Sequence, residues 1–362
     1  MDNNNNNDNR EFIDLREGAE EQQNTGNSQS PMPSHYPPSP RRKNKASFII
    51  LAAVLVIAGL IGGSHLVISS VQNVVFDSLA NGSSIPGDGI SFNNTNVVLD
   101  INLVSNSVVL QTHSGPDIFI TYTPPTIGNY TRPHYEFSQG NTRLQIIEER
   151  RNNWSIGINN IQRGVLAVFI PENVNGVFDS LNIAATSGRI EIFGDDGNRL
   201  ANNVSVNVTS GGIFVYDFTA DRVNFGATSG GVTLRDVGSS GNLTAHATSG
   251  GVSANNITAS GDISLTTTSG GVRANNITAD GNLSMGSTSG GVRAGDIFVA
   301  GNLSVNVTSG GITMENSEIL GNTNGRATSG GITFTNVDLD ESRMNLSATS
   351  GRITVNGERL DR

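Results

Sequence analysis

The sequence predicts an all-β protein, built as a parallel β-helix (β-solenoid) of about nine 20-residue coils with an irregular β cap, one N-terminal transmembrane helix and a disordered tail. Three observations predict the solenoid. A Thr-Ser-Gly tripeptide recurs nine times, the residues between its copies alternate with the period of a strand, and the 362 residues include 43 Gly but no Cys and only 6% aromatics. Fixed periods near 20 residues are typical of stacked solenoid units, and abundant glycine suits a fold of many tight turns.

Residues 1–46 are predicted to form a disordered cytosolic tail. They begin with a run of Asn, and five of the chain's 11 prolines lie between Pro31 and Pro40. Such sequence carries too little apolar surface to offset the entropy of ordering. Pro37, Pro40 and Arg42 form a P-x-x-P-x-R pattern typical of ligands for a polyproline-binding domain. A solvated proline-rich linker is the alternative interpretation.

Residues 47–69 are predicted to form a transmembrane signal-anchor helix. The run Phe48–Ile68 carries no formal charge and is long enough to cross a hydrocarbon core of about 30 Å. A cleaved signal peptide fits poorly, because a long segment precedes this run. The basic residues before the run are Arg41, Arg42, Lys43 and Lys45. They predict a single-pass type II protein of the cell surface, with the lipid bilayer as a partner, a cytosolic N-terminus and an extracellular or lumenal C-terminus.

With this topology, the N-x-S/T sequons after residue 70 are candidate N-glycosylation sites. The sequence has thirteen of them, and chance alone would give roughly seven in this composition. Asn256 and Asn276 are excluded, because we expect them to be buried in a stacked column described below. The remaining candidates are Asn81, Asn93, Asn129, Asn153, Asn203, Asn207, Asn242, Asn282, Asn302, Asn306 and Asn345.

Residues 70–180 are predicted to be the β-rich N-terminal cap of the ectodomain. Alternating apolar residues over 97–103 and 117–122 predict strands. A cap is expected, because a bare end coil would expose strand edges and core. The Glu148-Glu149-Arg150-Arg151 run is interpreted as a solvated strand end.

Residues 181–356 contain the repeats, and 357–362 are predicted to be a short tail. In every repeat the residue four positions after the Thr is Val or Ile and the residue six positions after it is apolar. A second apolar pair with the same spacing precedes the next Thr, so each repeat is predicted to hold two strands separated by Gly-rich corners. An antiparallel meander is the alternative. The nine Thr are Thr186, Thr209, Thr228, Thr248, Thr268, Thr288, Thr308, Thr328 and Thr349.

Eight residues after the Thr, the repeats carry a column of Asp or Asn. These residue types tolerate turn conformations and bond to nearby backbone, which predicts a structural corner ladder. A calcium-binding edge is the alternative, although single carboxylates one coil apart lack the dense oxygen cage that calcium needs. The column consists of Asp217, Asp236, Asn256, Asn276, Asp296, Asn316 and Asn336.

The chain resembles the putative-adhesin domain family. The resemblance is carried by Val165-Leu-Ala-Val-Phe-Ile-Pro171, by Asp179-Ser-Leu-Asn-Ile-Ala-Ala-Thr-Ser-Gly188 and by the Thr-Ser-Gly-Gly-Val units that follow, and it covers roughly residues 95–356. It implies a β-solenoid of unknown function and assigns no site residues. The chain departs from the family pattern by favouring Gly-Gly over Gly-Asp at the corner.

The sequence gives little support for catalysis. Its five His lie in different segments without metal-ligand spacing, and no nucleophile or phosphate-binding motif is found, so no enzyme activity, metal or cofactor is predicted. The net charge of −10 disfavours nucleic acid as a partner. A carbohydrate-active β-helix enzyme and, less favoured, an ice-binding solenoid are the alternatives.

The resulting hypothesis is a non-enzymatic single-pass membrane protein that displays a glycosylated β-solenoid ectodomain. Its expected role is adhesive or structural at the cell surface, and its expected partner is an extracellular glycan or protein surface. Weak contacts repeated along a rod would favour avidity over a single deep pocket.

Overall fold

The computed structural model describes residues 83–84, 89–92, 96–125, 132–140, 142–149, 163–172, 176–195 and 198–360. The predicted cytosolic tail of residues 1–46, with its Pro37–Arg42 pattern, and the 47–69 segment lie outside these residues. The sequons at Asn81, Asn93, Asn129 and Asn153 also lie outside them. Within the described ranges, no helix has both the length and the apolar character needed to cross a bilayer.

The N-terminal part of the fold contains ten strands, none longer than eight residues. They are β1 (Ser83–Ser84), β2 (Ile90–Phe92), β3 (Val97–Leu103), β4 (Ser107–His113), β5 (Ile118–Thr123), β6 (His134–Ser138), β7 (Arg143–Ile147), β8 (Val165–Pro171), β9 (Phe178–Ala185) and β10 (Ile190–Phe193).

The strands that follow form the regular coils, most of which contribute one longer and one shorter strand. They are β11 (Arg199–Val208), β12 (Ile213–Ala227), β13 (Val232–Ser239), β14 (Leu243–Ala247), β15 (Val252–Ala259), β16 (Ile263–Thr267), β17 (Val272–Ala279), β18 (Leu283–Ser287), β19 (Val292–Val299), β20 (Leu303–Val307), β21 (Ile312–Ile319), β22 (Thr323–Ala327), β23 (Ile332–Leu339), β24 (Met344–Ala348), β25 (Ile353–Val355) and β26 (Glu358–Arg359). A 3-10 helix, Glu341–Arg343, lies between β23 and β24.

The predicted parallel solenoid is confirmed, and the antiparallel meander is wrong. Each longer strand pairs in parallel with the longer strand of the next coil, so that Val252, Val272 and Val292 stack in register. The shorter strands stack in the same way, for example Ile263 on Leu283. The inward residues of both sets form one continuous core, so each coil buries its apolar side chains against those of its neighbours.

A bend inside each longer strand divides the coil into three strand segments. In β15 the inward–outward alternation breaks at Asn255 and Asn256, which are both exposed. Asn256 has a φ of 56°, in the left-handed region that Asn tolerates better than most residues. The sequence predicted two strands with Gly-rich corners and a corner ladder at the Asp/Asn column; the structure places that ladder at a third corner, which divides the longer strand in two.

The parallel stack begins before the first Thr-Ser-Gly, and its spatial order differs from the chain order. Strand β3 lies between β7 and β9 and is parallel to both. Strand β4 lies in the same way between β8 and β10. The β3–β4 coil is therefore second in the stack, and the chain returns past it to form β9.

Antiparallel strands close the N-terminal end of this stack. Strand β5 pairs antiparallel with β8 and β2, and β6 pairs antiparallel with β7 and β1. At the other end, Asn356 and Gly357 both have positive φ, at 49° and 89°. They form an Asn-Gly hairpin turn that folds β26 back antiparallel onto β25.

Candidate functional site

The Asp/Asn column occupies the bend of each coil. All seven predicted members have φ between 48° and 56°. The Nδ2 of Asn276 donates to Oδ1 of Asn256 over 2.9 Å, and Asn336 donates to Asn316 over the same distance. Asn256 in turn donates to Oδ1 of Asp236. Among the described residues, no group of three or more His, Cys, Asp or Glu is arranged to hold a metal ion.

The bend should discriminate sharply between side chains of similar size. Replacing Asn276 by Val is expected to destabilise the protein by about 2 kcal/mol, because a β-branched residue resists left-handed φ and cannot continue the amide ladder. Replacing Asn276 by Asp should cost clearly less than Val, because Asp adopts the same bend at Asp236 and Asp296, although its carboxylate cannot replace the Nδ2 donor to Asn256. Urea unfolding of the two variants measures the difference, and equal midpoints would contradict this account.

A second ladder, which the sequence analysis did not identify, follows the Gly-Asn corner. Here the backbone amide of each coil donates to Oδ1 of the residue one coil earlier, as from Asn302 to Asn282 over 2.9 Å. The side-chain Nδ2 of Asn302 donates to the same oxygen over 3.0 Å. The members of this ladder are Asn242, Asp262, Asn282, Asn302 and Asn322. Its sequence signal is Asn or Asp directly after a Gly at the same phase of each repeat.

Several of the described sequon asparagines are members of the two ladders. Asn256 and Asn276 are exposed, so the expectation that they are buried is wrong. Their Nδ2 atoms nevertheless donate along the first ladder, and those of Asn282 and Asn302 donate along the second. The other described sequons are Asn203, which is half-buried, and the exposed Asn207, Asn242, Asn306 and Asn345.

Aromatic and arginine side chains gather on the outer side of β10, β12 and β13. The rings of Phe193 and Tyr216 stack with centroids 5.3 Å apart and planes within 9°. The guanidinium of Arg235 lies 5.9 Å from the Tyr216 ring centroid. On the adjacent column, the guanidinium of Arg189 lies 3.8 Å above the Phe214 ring.

We call this set the aromatic–arginine surface. It comprises Arg189, Glu191, Phe193, Phe214, Tyr216 and Arg235. Its aromatic members are half-buried, and Arg189 pairs with Glu191 over 2.6 Å while keeping 51% of its side chain exposed. In the following coils, the Phe214 column continues as Thr233, Ser253, Arg273, Arg293, Thr313 and Thr333. The aromatics are thus concentrated at the first coils of an otherwise polar face.

A shallow groove of about 280 Å³ crosses several coils on another side of the stack. Its lining combines the Thr of successive Thr-Ser-Gly corners with Asn102, Asn207, His246 and several small residues. No Asp, Glu, Lys or Arg lines this groove. A site of this kind offers hydrogen bonds to neutral polar ligands and lacks the apolar enclosure of most small-molecule pockets.

The repeat geometry agrees with the comparison with protein-family models. The Toastrack DUF4097 model matches residues 97–296 and again 242–361. The chain belongs to the Toastrack DUF4097 family. The first matched residue is the first residue of β3, so the family's solenoid includes the β3–β4 coil that precedes the Thr-Ser-Gly repeats.

Comparison with individual proteins adds little to the family assignment. No curated protein matches the chain. Among solved structures, a protein from Parabacteroides distasonis named "Putative lipid binding protein" matches with a TM-score of 0.34 and 12% identity, over 76% of this chain and 98% of that one. At that similarity neither its fold nor its name transfers to this Toastrack DUF4097 protein.

The carboxylate of Asp221, in β12, forms an ion pair that links neighbouring coils. Asp221 accepts from Ser240 Oγ over 2.6 Å and from Arg199 Nη1 over 2.9 and 2.8 Å. The Ser240 hydrogen bond and then the Arg199 contacts lower the pKa of Asp221. These contacts stabilise the charged form of Asp221. We therefore assign Arg199, Asp221 and Ser240 a structural role in holding neighbouring coils together.

Strand parity is the sequence signal that could have located the aromatic–arginine surface. Within β12, Ile213 and Val215 are inward-facing repeat positions, so Phe214 and Tyr216 had to point outward. Large aromatics on the outer face of a strand are the informative exceptions in such a pattern.

Proposed function

We propose that this Toastrack DUF4097 protein is a non-enzymatic, single-pass type II membrane protein that displays a glycosylated β-solenoid at the cell surface in an adhesive or structural role. The segment order in the sequence supports the topology: an uncharged run follows a basic cluster and precedes the whole solenoid. In this proposal the cytosolic tail offers Pro37, Pro40 and Arg42 to a polyproline-binding domain.

The observation that carries the adhesive role is the aromatic–arginine surface. Tyr, Phe and Arg are enriched at protein interfaces, and a few such residues contribute most of the binding free energy. Hydroxyl and amide side chains fill the same columns in later coils, so solenoid stacking does not itself require rings at these positions. The surface is therefore the best-supported contact site for an extracellular glycan or protein.

The geometry of the surface also favours binding. Phe193 is stacked on Tyr216, and Phe214 is covered by Arg189, so these side chains are held by their neighbours in the free protein. Side chains that are already ordered lose less conformational entropy when a partner binds. Pre-ordered, half-buried rings with adjacent guanidinium groups can therefore contribute more to affinity than flexible ones.

Loss of the rings should weaken adhesion without unfolding the protein. We expect the double variant Phe214→Thr/Tyr216→Asn to bind at least about tenfold more weakly to extracellular matrix, glycan arrays or neighbouring cells, because both replacements are residue types found in the same columns. The measurement is adhesion of cells that express the full-length chain, with a C-terminal epitope stained on intact cells to report the topology.

The matched control is Arg273→Thr/Arg293→Thr, which alters the same outward column beyond the aromatics. It removes two positive charges and leaves the aromatic–arginine surface intact, so adhesion should be retained. Unchanged adhesion of the Phe214→Thr/Tyr216→Asn cells would refute the role of the surface. A C-terminal epitope that stains only after permeabilisation would refute the proposed display.

A further inference from the structure

The C-terminal end of the solenoid leaves one strand edge without a neighbour among the described residues. Strand β24 pairs in parallel with β22 along one edge. In every earlier coil of the repeat the equivalent strand is paired on both sides, as β20 is with β18 and β22. An unpaired strand edge presents free N–H and C=O groups and is a template for further strand pairing.

The chain closes the other two sides of the same end. Strand β26 covers β25 through the hairpin at Asn356. The Asn356 side chain then replaces a missing strand for Val337: its Oδ1 accepts from the Val337 amide and its Nδ2 donates to the Val337 carbonyl, each over 2.9 Å. Two sides are therefore protected within the chain, and the β24 edge is the side that remains.

The free backbone groups of β24 can be assigned from the pairing of earlier coils. The amides of Leu283 and Leu303, the first residues of β18 and β20, donate to the next coil over 2.9 Å. Met344 holds the equivalent position in the last coil. The amide of Thr349, just beyond β24, donates backward to Ala327. Since direction alternates along a strand, Met344, Leu346 and Ala348 direct their N–H and C=O groups away from β22. The Met344 N–H already donates to the Glu341 carbonyl, so the groups available for pairing are the Met344 C=O and both backbone groups of Leu346 and Ala348.

The same end leaves apolar side chains incompletely covered. Leu303 and Val305, at the positions of Met344 and Leu346, are fully buried. Met344 and Leu346 themselves are only half-buried, and they pack against the core together with Leu339 and Leu360. Free backbone groups and part-exposed core thus occur at one place.

We propose that the β24 edge is a docking surface for a second copy of this chain, joined by antiparallel pairing centred on Leu346. In that register Leu346 faces its own counterpart and Met344 faces Ala348 of the partner, so apolar residues meet apolar residues. A two-fold axis of this kind makes one patch complementary to itself.

The local composition favours a copy of the same chain over another partner. Strand β24 (Met-Asn-Leu-Ser-Ala) contains neither the charges nor the Pro that commonly protect edge strands. The described residues 326–360 carry four acidic and four basic side chains, so two such ends meet without net repulsion: Asp338, Asp340, Glu341 and Glu358 against Arg326, Arg343, Arg352 and Arg359. A partner with a strong net charge of either sign would find no net opposite charge at this end to attract it.

The role of this pairing in adhesion rests on the proposed function. If the chain is anchored near its N-terminus, the β24 edge belongs to the described coil that is farthest from the anchor along the chain. Two solenoids joined through their last coils can then connect copies on facing membranes, which is homophilic adhesion.

Disulfide crosslinking tests the pairing directly, because the natural chain has no Cys. In the proposed register the two Leu346 Cα atoms lie about 5.5 Å apart as a hydrogen-bonded antiparallel pair, within the range of about 4.4–6.8 Å that a disulfide spans. Full-length Leu346→Cys in cell membranes should form a covalent dimer on mild oxidation. The control, Asn324→Cys on the internal strand β22, should form at least tenfold less. The experiment is repeated in an Asn345→Gln background, which removes the sequon of β24.

Equal dimer yields from Leu346→Cys and Asn324→Cys in both backgrounds would overturn the proposal. They would favour a head-to-tail contact or the edge of a different protein. As a second variant, Leu346→Pro removes an outward amide while leaving the amides that pair with β22, so co-precipitation of two differently tagged copies should be lost while the thermal unfolding midpoint stays within a few degrees. Retained co-precipitation would count against the β24 edge.

These outcomes are separable from those of the proposed function. The Phe214→Thr/Tyr216→Asn variant should still crosslink through Leu346→Cys, since the two surfaces lie on different coils. Adhesion lost with crosslinking intact would support the aromatic–arginine surface as a separate contact. Crosslinking lost with adhesion intact would refute only the homophilic pairing.

Discussion

Replacing Gly290 by Ala is expected to destabilise the solenoid by about 3 kcal/mol, because the added methyl group has no space. A Cβ at Gly290 would overlap the carbonyl oxygen of Gly270 in the preceding coil. The Cβ position is fixed by the backbone and the atom it meets is a backbone oxygen, so no side-chain rotation relieves the overlap. The same overlap recurs at every regular corner, for example at Gly270 against Gly250 and at Gly310 against Gly290.

The second glycine of the corner provides a matched control. A Cβ at Gly311 would lie 3.3 Å from the carbonyl oxygen of Gly331, a tight contact that small backbone shifts can relieve. Arg189 and Arg352 occupy the corresponding position in the first and last repeats, which shows that the position accepts a side chain there. Urea unfolding should therefore show a much larger loss for Gly290→Ala than for Gly311→Ala. Comparable losses would contradict the close-approach explanation.

The Gly pair illustrates which parts of the fold the sequence can predict. The 20-residue period and the apolar columns specify stacked coils, because only a parallel stack requires one residue type at one phase of every repeat. The sequence keeps the first corner glycine in all nine repeats but has Arg at the second position in the first and last repeats, so it indicates which glycine is the stricter one. The coil-to-coil approach supplies the physical reason: Gly290 faces the preceding backbone, and Gly311 does not.

The order of the first coils could not be predicted from local pattern. Strands β3, β7 and β9 each alternate apolar residues, but nothing in that alternation states that β3 lies between the other two. The pairing depends on contacts between residues 97–103 and 178–185 across a long intervening segment. Local periodicity specifies strands, and long-range packing specifies their neighbours.

The candidate site was accessible to sequence reasoning only in part. The outward parity of Phe214 and Tyr216 follows from the repeat, but the stacking of Tyr216 on Phe193 depends on the register between β10 and β12. The interpretation of Glu148 as part of a solvated strand end was wrong: its side chain is buried, with 7% exposure. A charged residue at a strand end is usually solvated, and this one is buried because a corner of the neighbouring coil needs its carboxylate.

Replacing Glu148 by Ala is expected to cost about 3 kcal/mol or more, because three backbone amides lose one shared acceptor. Glu148 Oε2 accepts from the amides of Val104, Ser105 and Asn106 over 2.9, 3.0 and 3.2 Å. In later coils the corner amides bond to carbonyls of the preceding corner, as Thr209 does to Ala185 and Ser210 to Thr186. The β3–β4 corner takes its acceptor from a side chain instead, and the carboxylate completes the ladder there.

The charge and the oxygen of Glu148 can be separated by a second substitution. Glu148→Gln keeps an acceptor oxygen but loses the charge-assisted strength of the three bonds, so it should cost less than Glu148→Ala and more than the exposed neighbour Glu149→Ala. Urea unfolding of the three variants gives this order directly. If Glu148→Ala were as stable as Glu149→Ala, water would have to satisfy the three amides, and the corner would not need the carboxylate. If Glu148→Gln equalled Glu148→Ala, the negative charge rather than the acceptor atom would be what the Val104–Asn106 corner requires.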